Sequence, residues 1–203
     1  MLVLDGADEV VESTTIRKSR FVATVAPVSS EDELSALVDR KRDPSANHTC
    51  WGAVIGSGPQ RIARCSDDGE PAGTAGPPIL AALTSREVVD AAIVVVRWFG
   101  GVKLGAGGLV RAYGGSATAV LDKASLREAR PVTRMRLDVP VHDAGRAERL
   151  LYSLGDVHGA VYGAACVTYT VEVGAEHEGS LRDRLMSLTS GGAQVVEVAR
   201  RLA

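Results

Sequence analysis

At 203 residues, 45% of them hydrophobic, the chain is long enough for one large domain or two small ones, and with only 4% aromatics its cores must be built from Val, Leu, Ile and Ala. A formal net charge of −2 excludes a global attraction to nucleic acid or acidic membranes, so any polyanion has to be held by a local patch. Cys50, Cys65 and Cys166 are odd in number and form no CxxC pair, which argues against a disulfide framework or a zinc ribbon, and the amino terminus is acidic where a signal peptide would be basic then apolar; a soluble, cytoplasmic protein with no membrane partner is expected.

In chain order, residues 9–16 and 18–25 carry β-branched residues at strand spacing and read as a hairpin, with the basic stretch 17–20 as its turn. Ser29 or Ser30 then caps a helix: Asp32 and Glu33 fall in its first turn, Leu34, Leu37 and Val38 form an apolar face, and Pro44 stops it. Residues 49–55 and 61–65 read as two more strands across a turn at 56–59, followed by the loop SDDGEPAGTAGPP. A short helix at 79–83 and a strand at 88–96 lead into a glycine-rich turn and a helix from about Gly107. The polar stretch 126–131 ends in proline and marks a boundary. Beyond it the pattern is βαββαβ: strands at 133–139, 157–162, 165–173 and 193–199, helices at 142–154 and 176–188. An α+β protein is expected, with an N-terminal ββαββαβα two-layer domain over residues 1–130 and a ferredoxin-like domain over 131–203.

The stretch AAIVVVRWFGGVKLGAGGLVRAYGGSATAVL, residues 91–121, is where the chemistry concentrates. A buried strand ends at Arg97, and Gly100, Gly101, Gly105, Gly107 and Gly108 follow within nine residues, a density that implies positive φ, close backbone approach, or both. The helix that starts there exposes unpaired N–H groups, and Lys103 and Arg111 lie on either side of the turn. No acidic residue stands between Asp90 and Asp122, so Arg97, Lys103 and Arg111 form a local basic segment. It is neither a P-loop nor a dinucleotide fingerprint. Either the turn holds a phosphate, or its glycines serve tight packing and its charges face water.

A second candidate is the loop with Asp67, Asp68 and Glu70, followed by Gly73-Thr74-Ala75-Gly76. Three carboxylates in four positions could hold a hard cation, but aspartates, glycine and proline are also what a tight Asx-type loop uses, with Asp67 or Asp68 free to pair with Arg97 or Arg111. The loop reading is preferred, and no metal or cofactor is expected. Only His48 lies in the first domain, while His142, His158 and His177 are scattered through the second without metal-ligand spacing. His48, Cys50 and Ser66 could be read as base and nucleophile. A lone cysteine beside an aromatic in a strand is more often plain core.

Asp67-Asp68-Gly69-Glu70-Pro71, Gly73-Thr74-Ala75-Gly76, Val96-Arg97-Trp98-Phe99-Gly100-Gly101 and the run from Lys103 to Tyr113 closely resemble the IMPACT family, in its bacterial YigZ-type branch; His48 and Cys50 match a His-x-Cys pattern there. The resemblance implies that the first domain has the left-handed βαβ fold of the second domain of a small-subunit ribosomal protein, also seen in domain IV of elongation factor G. It implies that the second domain looks like that factor's last domain. Eukaryotic members of the family regulate translation, so RNA or the ribosome becomes the expected partner.

Two functions are therefore expected to compete. One is a non-enzymatic, translation-associated protein that binds RNA or the ribosome through the glycine turn with Arg97, Lys103 and Arg111. The other is an enzyme or receptor for a phosphate-bearing small ligand, using the same turn with Asp67, Asp68 and Glu70; His48 is counted among the candidate binding residues.

Overall fold

The computed structural model describes residues 1–57 and 61–202, in two units, Met1–Ala129 and Arg130–Ala203. In the first, β2 (Val10–Ile16) and β3 (Ser19–Pro27), which follow the short β1 (Leu2–Leu4), form the expected hairpin. Its two-residue turn is tighter than the four-residue basic stretch suggests. Arg17 and Lys18 both take positive φ, 45° and 67°, as a turn matched to the right-handed twist of its strands requires.

Helix α1 (Glu31–Lys41) is capped by Ser30, whose hydroxyl accepts from the Glu33 amide at 3.2 Å, while the Glu33 carboxylate accepts from the Ser29 amide at 2.7 Å. It buries Leu34, Leu37 and Val38 and ends three residues ahead of Pro44. β4 (His48–Ile55) and β5 (Ile62–Ser66) are paired and antiparallel; Gly58 and Pro59 of the turn expected between them lie outside the described residues.

Helix α2 (Gly76–Ser85) is twice the length of the expected 79–83 segment, because Pro77 and Pro78 sit in the first turn, where a missing N–H costs nothing. β6 (Ala91–Trp98) starts three residues later than the apolar run, since Glu87 and Asp90 take positive φ and interrupt extension. The long helix α3 (Ala106–Lys123) follows.

These strands form one antiparallel sheet in the order β2-β3-β6-β4-β5. β6 is central and buried from Ala91 to Arg97 because both of its faces are covered. Ala92, Val94 and Val96 pack with Leu34, Leu37 and Val38 of α1. Strand alternation turns Ile93, Val95 and Arg97 toward α2 and α3. α2 rests on β4 at Gly52, where a Cβ would fall 2.6 Å from the Leu80 amide nitrogen, so no larger residue lets the helix sit this close.

Two strands have no counterpart in the sequence reading. β1 pairs antiparallel with β7 (Leu126–Glu128), which lies inside the stretch read as a polar boundary. Three-residue strands are too short to show a period.

In the second unit, β8 (Pro131–Pro140), α4 (Ala144–Leu154), β9 (Asp156–Tyr162), β10 (Cys166–Gly174), α5 (Glu178–Leu188) and β11 (Gln194–Leu202) follow the βαββαβ order. The sheet is antiparallel in the order β11-β8-β10-β9, the arrangement of a ferredoxin-like sandwich. Met135, Leu137, Val139, Val167, Tyr169 and Val171 form its core with Leu150, Leu151, Leu181 and Leu185. Each helix begins two residues later than the apolar pattern, after a 3-10 turn at Val141–Asp143 and Ala175–His177. The chain is thus α+β throughout. Among the described residues no helix is long and apolar enough to cross a membrane.

Candidate functional site

The site is built where β6 runs out. Strand alternation points Arg97 into the layer between sheet and α3, where its side chain is 7% exposed, and a guanidinium so buried needs a counter-charge. Glu70, 3% exposed, supplies it: Arg97 Nη1 donates to Glu70 Oε1 at 2.5 Å. The Tyr113 hydroxyl of α3 donates to the same oxygen at 2.7 Å, and Arg97 Nη2 donates to Ser19 Oγ at 3.3 Å. The guanidinium also lies over the rings of Phe21 and Phe99, 5.4 and 5.6 Å from their centroids. Among the described residues its Nε has no hydrogen-bond partner. The pairing of Asp67 or Asp68 with Arg97 or Arg111 is therefore corrected: the partner of Arg97 is Glu70.

Each of the three carboxylates in the acidic loop has a separate task. Asp67 caps α2, accepting from the amides of Gly73 (2.8 Å), Ala75 (2.9 Å) and Gly76 (2.8 Å). Burial alone would raise its pKa, but the amides of Gly73, Gly76 and Ala75 outweigh that and hold it below the usual carboxylate value. Asp68, at φ 42°, accepts from the Thr49 amide at 2.6 Å and lies 3.6 Å from Arg42. Glu70 alone turns inward. The carboxylates do not converge on a common point, and among the described residues no group of three or more His, Cys, Asp or Glu side chains could hold a metal ion.

His48 stands at the start of β4, its Nδ1 2.8 Å from the Asp68 carbonyl oxygen. A carbonyl only accepts, so Nδ1 carries a proton, and Nε2 lies 3.9 Å from Glu70 Oε2. Cys50 is buried and donates to the Asp67 carbonyl at 3.0 Å. Burial above all pushes its thiol up to about 12; a Tyr113 hydrogen bond works against this, and the charges of Glu70, Asp68 and Asp67 add to it. Such a thiol stays protonated at neutral pH and packs as a core residue.

The glycine turn divides its labour. A Cβ on Gly100 would fall 1.9 Å from the Lys18 carbonyl oxygen in the β2–β3 turn, so Gly100 is there for close approach. Gly101 and Gly105 take φ of 85° and 73°. Gly107 and Gly108 lie in the first turn of α3 without positive φ; a Cβ on Gly108 would fall 3.0 Å from Leu104 Cβ, whereas Gly107 shows neither of the two expected reasons for glycine. Gly105 caps α3 without a side-chain hydrogen bond, and the first turn holds no acidic residue, so its N–H groups face outward with the positive end of the helix dipole. Arg111 lies along this turn, its Nη1 3.6 Å from where a Gly107 Cβ would be. Among the described residues neither Lys103 nor Arg111 forms an ion pair.

A cleft of about 470 Å³ opens in front of the helix end. It brings together His48, Glu70, Arg97, Lys103 and Gly105 from the sequence-derived set, and adds Asn47, Phe99, Leu104 and Leu109. Asp67, Asp68, Gly100, Gly101, Gly107, Gly108 and Arg111 do not line it. Phe99 is the main residue that sequence reasoning missed. Its signal was an aromatic one residue past the end of a buried strand, leading directly into a glycine turn. Its amide donates to Asn47 Oδ1 at 2.7 Å, and its side chain is left 45% exposed.

With this geometry established, comparison with known proteins is informative. A family model described as the Impact N-terminal domain matches residues 17–121. The chain is 33% identical over 194 residues to IMPACT family member YvyE of Bacillus subtilis (strain 168), spanning 95% of this chain and 87% of that one. It is 34% identical over 190 residues to IMPACT family member YigZ of Escherichia coli (strain K12), spanning 90% and 91%. A solved structure, the crystal structure of a hypothetical protein, aligns with a TM-score of 0.66 at 33% identity over 98% of this chain and 97% of its own.

Three outcomes follow from the geometry. Glu70→Gln removes the charge that balances a buried guanidinium and should lower stability by about 3–5 kcal/mol in urea unfolding. An unchanged midpoint would show that water reaches Arg97. Among the glycines, Gly101→Ala should cost about 1–3 kcal/mol, Gly100→Ala should be the more damaging because it meets backbone, and Gly107→Ala should be neutral or stabilising by up to about 1 kcal/mol. Equal losses at all three positions would contradict these assignments. For Asp67 the folded pKa is depressed, so its stabilisation is complete above the unfolded value of roughly 4 and is lost as pH falls through the folded one. Asp67→Asn should therefore lose less stability than the parent between pH 7 and pH 3, measured by thermal melts; parallel losses would refute the capping role.

Proposed function

The chain belongs to the IMPACT family, and from that premise we propose that it is a non-enzymatic, translation-associated protein that binds RNA, on or off the ribosome, by holding a backbone phosphate at the amino end of α3. The observation that carries this is the helix end itself: an outward-facing first turn, without a side-chain cap or an acidic residue, opening on a cleft that also contains Lys103. The buried Arg97, with its Nε unpartnered, lies in the wall of the same cleft. Translation enters through the family resemblance, since its eukaryotic members regulate translation.

Lys103 and Arg111 are the contacts to phosphate. The chain's net charge of −2 adds no general attraction, so binding is modest and depends on few ionic contacts. Each phosphate neutralised on a single strand contributes roughly −0.7 to the slope of log affinity against log salt. Lys103→Ala and Arg111→Ala should weaken binding to a single-stranded RNA and reduce that slope by about 0.7 each, while changing stability by roughly half a kcal/mol or less. Affinity measured from low to physiological salt tests this. No binding at low salt, binding without a salt slope, or variants that melt as early as Gly100→Ala would overturn it.

One observation favours a second reading. A bounded cleft of about 470 Å³ with His48 and Glu70 in its wall is also of a size that suits a small phosphorylated compound. Asp67 and Asp68 take no part in it. A thermal-shift screen of nucleotides and phosphosugars separates the two, because a ligand at a hundred times its dissociation constant adds about 2.7 kcal/mol. A flat screen beside salt-sensitive RNA binding leaves the RNA reading alone.

A further inference from the structure

We infer that the cleft takes a nucleotide whose base is unpaired and stacks that base on the ring of Phe99. This rests on the phosphate site at the amino end of α3 and adds the chemical class of what carries the phosphate.

Phe99 is an aromatic side chain left 45% exposed at the edge of a cleft, in a chain that has few aromatics. Its position is fixed on two sides. The Phe99 amide is tied to Asn47 Oδ1 at 2.7 Å, and Asn47 is itself tied by its amide to the Arg97 carbonyl at 2.9 Å. The Arg97 guanidinium lies over the ring at 5.6 Å from the centroid, and it is held from behind by Phe21 at 5.4 Å and by Glu70. A cation over one face of a ring leaves the other face free, and a planar, uncharged partner is what that face best accepts. A core role does not account for the exposure. Phe99 and the first turn of α3, through Gly105 and Ala106, line one cleft with Lys103 between them in sequence. A phosphate at the helix end and a base on Phe99 therefore belong to a single nucleotide or to neighbours on one strand. Paired bases present no free face, so a duplex cannot use the ring. The shared chemistry is a phosphate next to an unstacked base, whether it comes from a free mononucleotide or from a single-stranded RNA.

The test compares the full chain with Phe99→Ala, Phe99→Trp and Lys103→Ala against four probes: a single-stranded octaribonucleotide, the same sequence as a duplex, uridine 5′-monophosphate and ribose 5-phosphate. Stacking one base is worth about 5- to 150-fold in affinity. Phe99→Ala should lose roughly ten-fold or more for the single strand by this scale, and its affinity for ribose 5-phosphate should not change. Phe99→Trp should keep the affinity, and its indole emission should change on adding the single strand but not ribose 5-phosphate. Binding of the mononucleotide as well as the strand points to a free nucleotide as sufficient; binding of the strand alone points to RNA. If Phe99→Ala binds the single strand as the parent does while Lys103→Ala is weakened, the phosphate site stands and the stacking platform falls. Equal affinity of the parent for duplex and single strand also overturns the stacking. If the parent binds none of the four probes, the phosphate site falls, and the stacking proposal with it.

Discussion

The ion pair between Arg97 and Glu70 is the contact on which the first unit turns. Neither charge could stay in the layer between sheet and α3 by itself, since the desolvation of one buried ion costs several kcal/mol and only a well-placed partner offsets it. The pair is also a junction. Glu70 belongs to the loop after β5, Arg97 to the end of β6, Ser19 to the start of β3 and Tyr113 to α3, so four segments far apart in sequence are fixed to one another by a single carboxylate and a single guanidinium. The apolar contacts of Ile93, Val95 and Phe21 hold the layers together but would tolerate a sliding helix. Directional hydrogen bonds from two fixed donors to Glu70 do not.

That arrangement decides the electrostatics of the cleft. Because Glu70 neutralises Arg97 inside the protein, the strand-end arginine adds little net attraction for an anion. Among the described residues the cleft's positive charge without an ion pair is that of Lys103, beside the positive end of α3, while Arg111 lies along the first turn of that helix outside the cleft. Arg97 instead acts through shape, setting the ring of Phe99 from beneath and, through its carbonyl, placing Asn47. Charge and shape are thus divided between different residues: Lys103 and Arg111 carry charge without an ion-pair partner among the described residues, whereas Arg97 fixes the position of its neighbours.

Much of this could be seen in the sequence where a short-range rule governs. The β2–β3 hairpin, the Ser30 cap of α1, the buried run of β6, the apolar face of α3 and the βαββαβ order of the second unit all follow from period, capping and turn chemistry within a few residues. The glycine turn stood out because five glycines in nine residues imply positive φ or close approach, which Gly100, Gly101 and Gly105 show. What could not be read was long-range. Nothing local to Glu70 distinguishes it from Asp67 and Asp68; only the folded sheet shows that Glu70 faces inward while its neighbours cap α2 and the β4 edge. The five glycines look alike in sequence, yet Gly100 answers to Lys18, a residue 82 positions away in the hairpin turn, while Gly107 answers to nothing outside its own helix. Phe99 was passed over for a related reason. An aromatic after a buried strand is usually core, and only the end of β6 at Trp98 leaves Phe99 at the rim of the cleft.

The pairing of β1 with β7 has a consequence for how the first unit can be handled by evolution. Leu2 lies opposite Glu128 and Leu4 opposite Leu126, so the entry and the exit of this unit run side by side, about one strand spacing (~4.8 Å) apart. A module whose two ends meet can be spliced into another chain, or joined to a different neighbour, without pulling its sheet open. Its fold is closed by its own ends, and a partner domain can be exchanged at that seam while the cleft at the far end of β6 stays as it is.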